Sequence, residues 1–300
     1  MDTDRATGVL LGLACGDALG RPVEFQSARA IEREYGTLRE MLGYGTHGQP
    51  AGSVTDDTDL ALCLARSLDA CGGFDPDDVG DRFVDWLESG PFDVGLMTAE
   101  AIREIRDGTP PEVAGQRVWE RRPEGSNAGN GSVMRCAPHA VAYADRLDRL
   151  LDVSVRSSAI THADPRCTAS CALLNLALAG LARDEDSPLA AALDRVDAHD
   201  ELSDALVELP DRPEMLRSSG YVVHTLQTAL YHGLTADTAE DGIVAAVNMG
   251  EDTDTVGAVT GAVVGARFGV SGLPDRWLET VERADELREL AERLAVGDYD

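Results

Sequence analysis

Residues 252–268 read Asp-Thr-Asp-Thr-Val-Gly-Ala-Val-Thr-Gly-Ala-Val-Val-Gly-Ala-Arg-Phe. Apolar and small residues recur at three- and four-residue spacing, which predicts a helix, and Gly257, Gly261 and Gly265 fall on one face of it. A stripe of this kind recurs at the other end of the chain, where Gly8, Gly12, Gly16 and Gly20 are also four apart. Each glycine costs a helix about 1 kcal/mol relative to alanine. Two helices that keep such stripes are therefore expected to meet each other or a ligand at close range. Further helical periodicity lies over 55–71, 165–183 and 220–233, with shorter helices expected near 8–19, 77–89, 95–106, 145–160, 237–247 and 275–294. Gly72-Gly73, Gly90-Pro91, Thr109-Pro110-Pro111, Ser187-Pro188 and the run Pro210 to Pro213 separate them. No alternation of strands with helices is visible. The expectation is one all-α domain over residues 1–300, a single multi-helix bundle. Pro110 to Gly131 reads as the longest irregular connection.

The chain has 300 residues and a net charge of −28, from 54 acids against 26 cations. Every cation is arginine, since lysine is absent. Such a balance repels nucleic acid, anionic membranes and other copies of itself, so polyanion binding is excluded and a monomer is expected. It is the composition of a halophilic protein, because a Debye length of ~3 Å at 1 M salt screens the self-repulsion. The apolar stretch 243–270 carries Glu251, Asp252 and Asp254, which exclude an ordinary membrane span. Cys15, Cys63, Cys71, Cys136, Cys167 and Cys171 form no CxxC pair, so buried free thiols in a reducing cytoplasm are expected. Residues 1–20 resemble a lipoprotein leader only superficially, given Asp2, Asp4 and a glycine-broken apolar run.

Acids stand where burial is expected. Thr55-Asp56-Asp57-Thr58-Asp59 runs into Leu60-Ala61-Leu62, and Glu251-Asp252-Thr253-Asp254-Thr255 leads into the glycine-striped helix. Capping and a favourable dipole explain one such cluster, and chance in an acidic chain explains adjacent aspartates on a solvated face. Neither explains two clusters that both open apolar helices. Carboxylates partly desolvated together must protonate or find a cation, and an oxygen-only donor set suits Mg²⁺, Mn²⁺ or Ca²⁺. Asn127-Ala128-Gly129-Asn130-Gly131-Ser132 precedes an apolar stretch and reads either as a turn or as backbone N–H groups at a helix start, suited to phosphate. Arg135 fits an anion contact or a surface ion pair equally. Glu24, between Val23 and Phe25, is either a surface acid or a general acid or base with a raised pKa. His162 in Thr161-His162-Ala163-Asp164 reads first as a capping or buried residue, and His199-Asp200 lies in polar, loop-like surroundings.

Taken together, Gly16-Asp17-Ala18-Leu19-Gly20 with Pro22-Val23-Glu24-Phe25, the Thr55–Thr58 cluster, Gly129-Asn130-Gly131 with Met134-Arg135, Thr161–Asp164 and the late 250–266 segment resemble the ADP-ribosylglycohydrolases. This family groups dinitrogenase reductase-activating glycohydrolases, ADP-ribosylhydrolases and J1-crystallin relatives, and the resemblance runs from about residue 8 to 270 in the family's motif order. It implies an all-α fold with a central cleft for two Mg²⁺ (or Mn²⁺) ions and cleavage of the bond joining ADP-ribose to an acceptor. The acceptor would be a protein arginine or serine, or an O-acetyl group on a small ADP-ribose conjugate. By motif, Thr55, Asp56, Asp57, Asp252, Asp254 and Thr255 would hold the metal, and Glu24 would stand at the scissile bond. Gly129, Asn130, Gly131 and His162 would line the ADP-ribose cleft, Gly95 would contact the distal ribose, and Asp93 would face the acceptor. Asp17 and Asp59 are expected to play structural roles. Two other readings are weighed. Isoprenoid synthases need acids at i, i+1 and i+4, whereas here they fall at i, i+1 and i+3. A non-catalytic ADP-ribose-binding member of the same fold would bind without releasing product.

Overall fold

The computed structural model describes residues 1–123, 125–207, 209 and 215–299, and the break expected at Pro210 to Pro213 lies outside the described residues. In chain order the helices are α1 (Thr3–Gly20), α2 (Ala28–Tyr35), α3 (Asp56–Cys71), α4 (Pro76–Glu88), α5 (Leu96–Arg106), α6 (Pro111–Arg121), α7 (Pro138–Ala142) and α8 (Leu147–Ala159). They continue with α9 (Pro165–Leu181), α10 (Pro188–Leu193), α11 (Asp200–Val207), α12 (Val222–Thr235), α13 (Ala239–Val247), α14 (Thr253–Phe268), α15 (Asp275–Leu278) and α16 (Ala284–Val296). Among the described residues there is no named strand, only the isolated bridges Ser27–Gly250, Tyr44–Gln49 and Gly129–Tyr221. The all-α expectation is met.

The two glycine stripes meet. A β-carbon at Gly12 would lie 2.2 Å from the carbonyl oxygen of Gly261, and one at Gly16 would lie 1.9 Å from that of Gly257. At Gly8 it would lie 2.5 Å from Gly265 O, and at Gly20 2.2 Å from Thr253 O. Rising numbers on α1 thus pair with falling numbers on α14, and the helices run antiparallel with backbone against backbone. Only hydrogen atoms fit between them. Both are buried, α1 from Ala6 to Gly20 and α14 from Thr253 to Ala266, so neither has a solvent face. A helix apolar all round is the mark of a core element, and α3, α9, α12 and α13 pack around this pair. The antiparallel sense sets the C-terminus of α1 beside the N-terminus of α14. Thr253 Oγ1 donates to Gly20 O at 2.8 Å and secures the junction.

Asp17 ties in a third helix. Its buried carboxylate accepts from Thr55 N (3.1 and 3.0 Å), Thr58 N (3.2 Å) and Thr58 Oγ1 (2.6 Å), satisfying orphan donors at the start of α3. The structural role expected for Asp17 is met, as is that of Asp59, which accepts from Trp86 Nε1 at 3.0 Å. α1, α3 and α14 therefore converge at one point.

Three expectations need correction. The segment after Pro110 is not irregular, because α6 occupies Pro111–Arg121, with Pro111 at its first turn and Ala114, Gly115 and Val118 forming a narrow buried face. The helix expected over 275–294 is broken into α15 and α16, since Arg283 takes a left-handed φ of 64°. The Asn127–Ser132 run opens no α-helix; it leads into a short 3₁₀ turn, Val133–Arg135. Five of the six cysteines are buried free thiols as expected, while Cys71 is exposed.

The α1–α14 contact generates a stability prediction. Gly12→Ala gains helix propensity, yet its methyl group would push the helices apart, a penalty of about 1–3 kcal/mol for overpacking. A lowered urea midpoint is expected. An unchanged or raised midpoint would show that the two backbones do not need this separation.

Candidate active site

The convergence of α1, α3 and α14 carries the acid clusters. After α1 the chain makes a 3₁₀ turn over Arg21–Val23 that delivers Glu24. Phe25 and Glu251 then exchange backbone hydrogen bonds across the two segments, with Phe25 N donating to Glu251 O and Glu251 N donating to Gln26 O, each 2.7 Å. Glu24 is thereby placed beside the start of α14. One carboxylate oxygen from each of Glu24, Asp252 and Asp254 lies within 4.8 Å of the other two. Asp56 Oδ2 accepts from Gly95 N at 3.1 Å, which fastens the 91–95 segment to the start of α3. Asp57 Oδ2 accepts from Thr55 Oγ1 (3.2 Å) and from Thr255 Oγ1 (3.3 Å), so it bridges the two helix starts. Asp57 Oδ1 is buried with no hydrogen-bond partner among the described residues.

Among the described residues no arginine forms an ion pair with these acids. Burial, then the nearby charges of Asp93 and Asp252, pushes Glu24 up to about 9. Burial and Asp93 push Asp56 to about 8, and burial raises Asp17 to about 7 against its four hydrogen bonds. Asp57 and Asp254 are driven well above the usual carboxylate range by burial and by the other acids. Asp252 is raised by burial, which the hydrogen bond from Asn130 opposes. Asp93 is also raised by burial, and His47 opposes the shift. The two fully buried arginines are engaged elsewhere. Arg21 donates to the carbonyls of Ser53, Tyr44, Leu42 and Pro50. Arg135 donates to Gly131 O (2.5 Å) and Thr161 Oγ1 (2.7 Å), with its guanidinium over the Phe83 ring. It is thus neither an anion ligand nor a surface ion pair. It braces the Gly129–Gly131 loop from behind.

That loop is the opposite wall of a cavity of about 600 Å³. A β-carbon at Gly131 would lie 2.8 Å from His162 Cε1 and 2.9 Å from Thr98 Oγ1, so only glycine lets the loop pass. Asn130 Nδ2 donates to Asp252 Oδ2 (2.8 Å) and Thr225 Oγ1 (3.0 Å), linking the loop to the acids. His162 is buried with Nδ1 on Thr161 Oγ1 at 2.8 Å, and burial, then Arg135, lowers it to about 3. It is a neutral ring at neutral pH, as the burial reading expected.

The structure brings the sequence-selected residues together with two qualifications. Glu24, Asp56, Asp93, Gly95, Gly129, Asn130, Gly131, His162, Asp252, Asp254 and Thr255 line the cavity. Thr55 and Asp57 lie just beneath its wall and reach it through Thr255. Thr98, Ser219 and Gly220 also line it and escaped the sequence reading, which gave Phe25 and Glu251 only as members of the motifs around Glu24 and Asp252. His47 escaped as well. Its Nε2 contacts Glu24 Oε2, and with Glu24 and Asp93 it forms a second close group of polar atoms. A clue existed in the glycine-rich run Gly43-Tyr44-Gly45-Thr46-His47-Gly48, but no periodicity ties a loop histidine to a glutamate 23 residues earlier.

Comparison with known proteins bears on the family of the chain. The family model described as ADP-ribosylglycohydrolase matches residues 1–299. The chain is 35% identical to the ADP-ribosylarginine hydrolase Tri1 of Pseudomonas putida (strain GB-1), over 97% of this chain and 78% of that protein. It is also 35% identical to the ADP-ribosyl-[dinitrogen reductase] glycohydrolase of Rhodospirillum rubrum, over 93% of this chain and 90% of that protein. A solved chain described as an "ADP-ribosylglycohydrolase-related protein complex" superposes with a TM-score of 0.84 at 35% identity, covering 99% of this chain and 98% of its own length. With an all-α fold, a match along the whole described length and relatives of this identity, the chain belongs to the ADP-ribosylglycohydrolase family.

Proposed function

We propose that this protein is a Mg²⁺-dependent hydrolase that cleaves the glycosidic bond between ADP-ribose and an arginine side chain of a protein, releasing free ADP-ribose. The observation that carries the reading is the gathering of Glu24, Asp56, Asp252 and Asp254 on the cavity, with Asp57 just beneath, none of them ion-paired to an arginine among the described residues. Family membership and the two relatives named for ADP-ribosylated substrates support it, and the arginine acceptor rests on the first of these together with Asp93 on the cavity wall. Serine- and O-acetyl-linked ADP-ribose differ beyond the scissile bond and are the competing substrates. Residues 1–300 would act as one domain and as a monomer in a saline cytoplasm, a reading supported by the net charge of −28. Among the described residues no helix is long and apolar enough to cross a membrane.

The residues fit a divalent metal. Asp57 Oδ1 is an orphaned buried oxygen, Glu24, Asp252 and Asp254 converge, and hydroxyl and carboxylate oxygens make a hard donor set. Thr55, Asp56, Asp57, Asp252, Asp254 and Thr255 would hold two Mg²⁺ ions, with Mn²⁺ as a substitute. When bound, such ions orient the ribose hydroxyls and stabilise negative charge on oxygen. The chain's own groups supply the rest. Gly129, Asn130, Gly131 and His162 form the wall for the ribose and pyrophosphate, where a neutral His162 adds no repulsion to the adjoining dipoles. Gly95 brings backbone against the distal ribose. Glu24 moves the proton: the C1″–N bond to the guanidino group breaks, a water oxygen bonds to C1″, and the carboxyl carries a proton between water and the departing nitrogen. With Oε2 against His47, Oε1 is the oxygen left for that exchange.

Three kinds of outcome follow from this assignment, for the metal, for Glu24 and for pH. EDTA is expected to abolish ADP-ribose release, and Mg²⁺ or Mn²⁺ to restore it. Asp56→Asn or Asp254→Asn should weaken Mn²⁺ binding at least about 100-fold, and full stoichiometric Mn²⁺ in either variant, read by paramagnetic resonance, would refute the ligand assignment. Glu24→Gln is expected to lower kcat by about 10²–10⁴-fold while leaving the Kd for ADP-ribose unchanged; undiminished turnover would remove Glu24 from the chemistry. The third outcome concerns pH. Asp17, Asp56 and Glu24 are raised to about 7, 8 and 9, above the roughly 4 of an unfolded carboxyl. The folded metal-free chain therefore holds protons the unfolded chain has released, and its stability falls as pH rises from about 4 through 9. Thermal melting in EDTA should drop between pH 6 and pH 9, and added Mg²⁺ should flatten the drop. A melting point that rises with pH in EDTA would contradict an uncompensated acid cluster.

A further inference from the structure

The chain has only five phenylalanines, and two of them stand in solvent beside the acidic cavity: Phe25 is 69% exposed and Phe92 is 43% exposed. Phe25 is held there against local preference. Its φ is 64°, a left-handed conformation that bulky residues avoid, and Glu251, whose carbonyl accepts from Phe25 N, has a φ of 63°. Strain kept at the mouth of a cavity marks a position where a side chain is wanted for use. The imidazole of His47 packs against both rings, with centroids 6.4 Å from Phe25 and 5.4 Å from Phe92. The carboxylate of Asp93, which follows Phe92 in sequence, lies within 4.8 Å of polar atoms of His47 and Glu24.

We propose that Phe25 and Phe92 form an aromatic clamp that, with the Asp93 carboxylate, binds the planar guanidinium of the acceptor and sets the preference for arginine. The proposal rests on the hydrolase reading above and deepens it. A guanidinium is weakly hydrated, presents parallel N–H donors in its plane to a carboxylate, and exposes faces that stack on aromatic rings. A serine hydroxyl has neither property. An alkylammonium has charge but no plane. A carboxylate grouped with two exposed rings therefore selects for a flat cation.

The test uses the full chain loaded with Mn²⁺ and ADP-ribose, with agmatine as the guanidinium probe and cadaverine as the ammonium control. Wild-type protein is expected to bind agmatine more tightly than cadaverine by calorimetry. Phe25→Leu and Phe92→Leu should each weaken agmatine about fivefold and raise KM for ADP-ribosylarginine in step, with the Kd for free ADP-ribose unchanged. Phe92→Tyr keeps a ring and should retain wild-type agmatine affinity. Equal affinity for the two probes, no effect of the double leucine variant, or a loss in Phe92→Tyr as large as in Phe92→Leu would each overturn the clamp. Absence of ADP-ribose release by wild-type protein would instead refute the hydrolase reading, and agmatine binding would still decide the clamp.

Discussion

Backbone against backbone, α1 and α14 touch through glycine, and the site depends on that contact. With a Cβ at Gly16 or Gly261 falling 1.9 Å from the carbonyl oxygen opposite, a methyl group on either helix would force the pair apart. Separation would move Glu24, which follows α1, away from Asp252 and Asp254, which open α14. Asp17 adds the third member by capping α3, so that Asp56 and Asp57 reach the same place. A buried acid thus serves as a structural fastener while its neighbours stay free for chemistry.

The cost of the arrangement is electrostatic. Gathering carboxylates in a desolvated wall raises their pKa values together, and in most proteins an arginine would answer them. Here the two buried arginines donate to backbone carbonyls, Arg21 holding the 42–53 loop and Arg135 the Gly131 loop. Their hydrogen bonds hold the loops around the cavity, and neither forms an ion pair with the cavity's acids. Such a group of acids is suited to a cation that arrives from solution. The same economy shows in Asn130, a neutral donor that reaches Asp252 without cancelling its charge.

At the mouth the chemistry changes from acid to aromatic. Phe25, His47 and Phe92 belong to three loops that meet only after the helices have packed. Phe25 lines the cavity with Glu24 and Asp93, His47 contacts Glu24, and Phe92 precedes Asp93 in the chain. On the proposed function, an acidic group, a glycine-lined loop and a cluster of rings would separate three tasks in space: holding a metal, seating a nucleotide sugar and choosing the acceptor.

The sequence by itself determined the helical class, the two glycine-striped helices and the two Asp/Thr clusters, because helical periodicity and small-residue spacing are local signals. It also determined that each cluster opens a buried helix, since apolar residues follow at once. Glu24 stood out only by its flanking Val23 and Phe25, and its partner His47 did not stand out at all. α6 went unread because Pro110-Pro111 and Gly115 look like breakers, although Pro111 sits at a first turn and Gly115 lets α6 approach the Ala159 carbonyl. Only the tertiary structure decided which acids face the cavity and which lie beneath it, that Arg135 points away from the ligand side, and that two phenylalanines remain in solvent. These are facts of orientation between segments far apart in the chain, and packing settles them where local propensity carries no information.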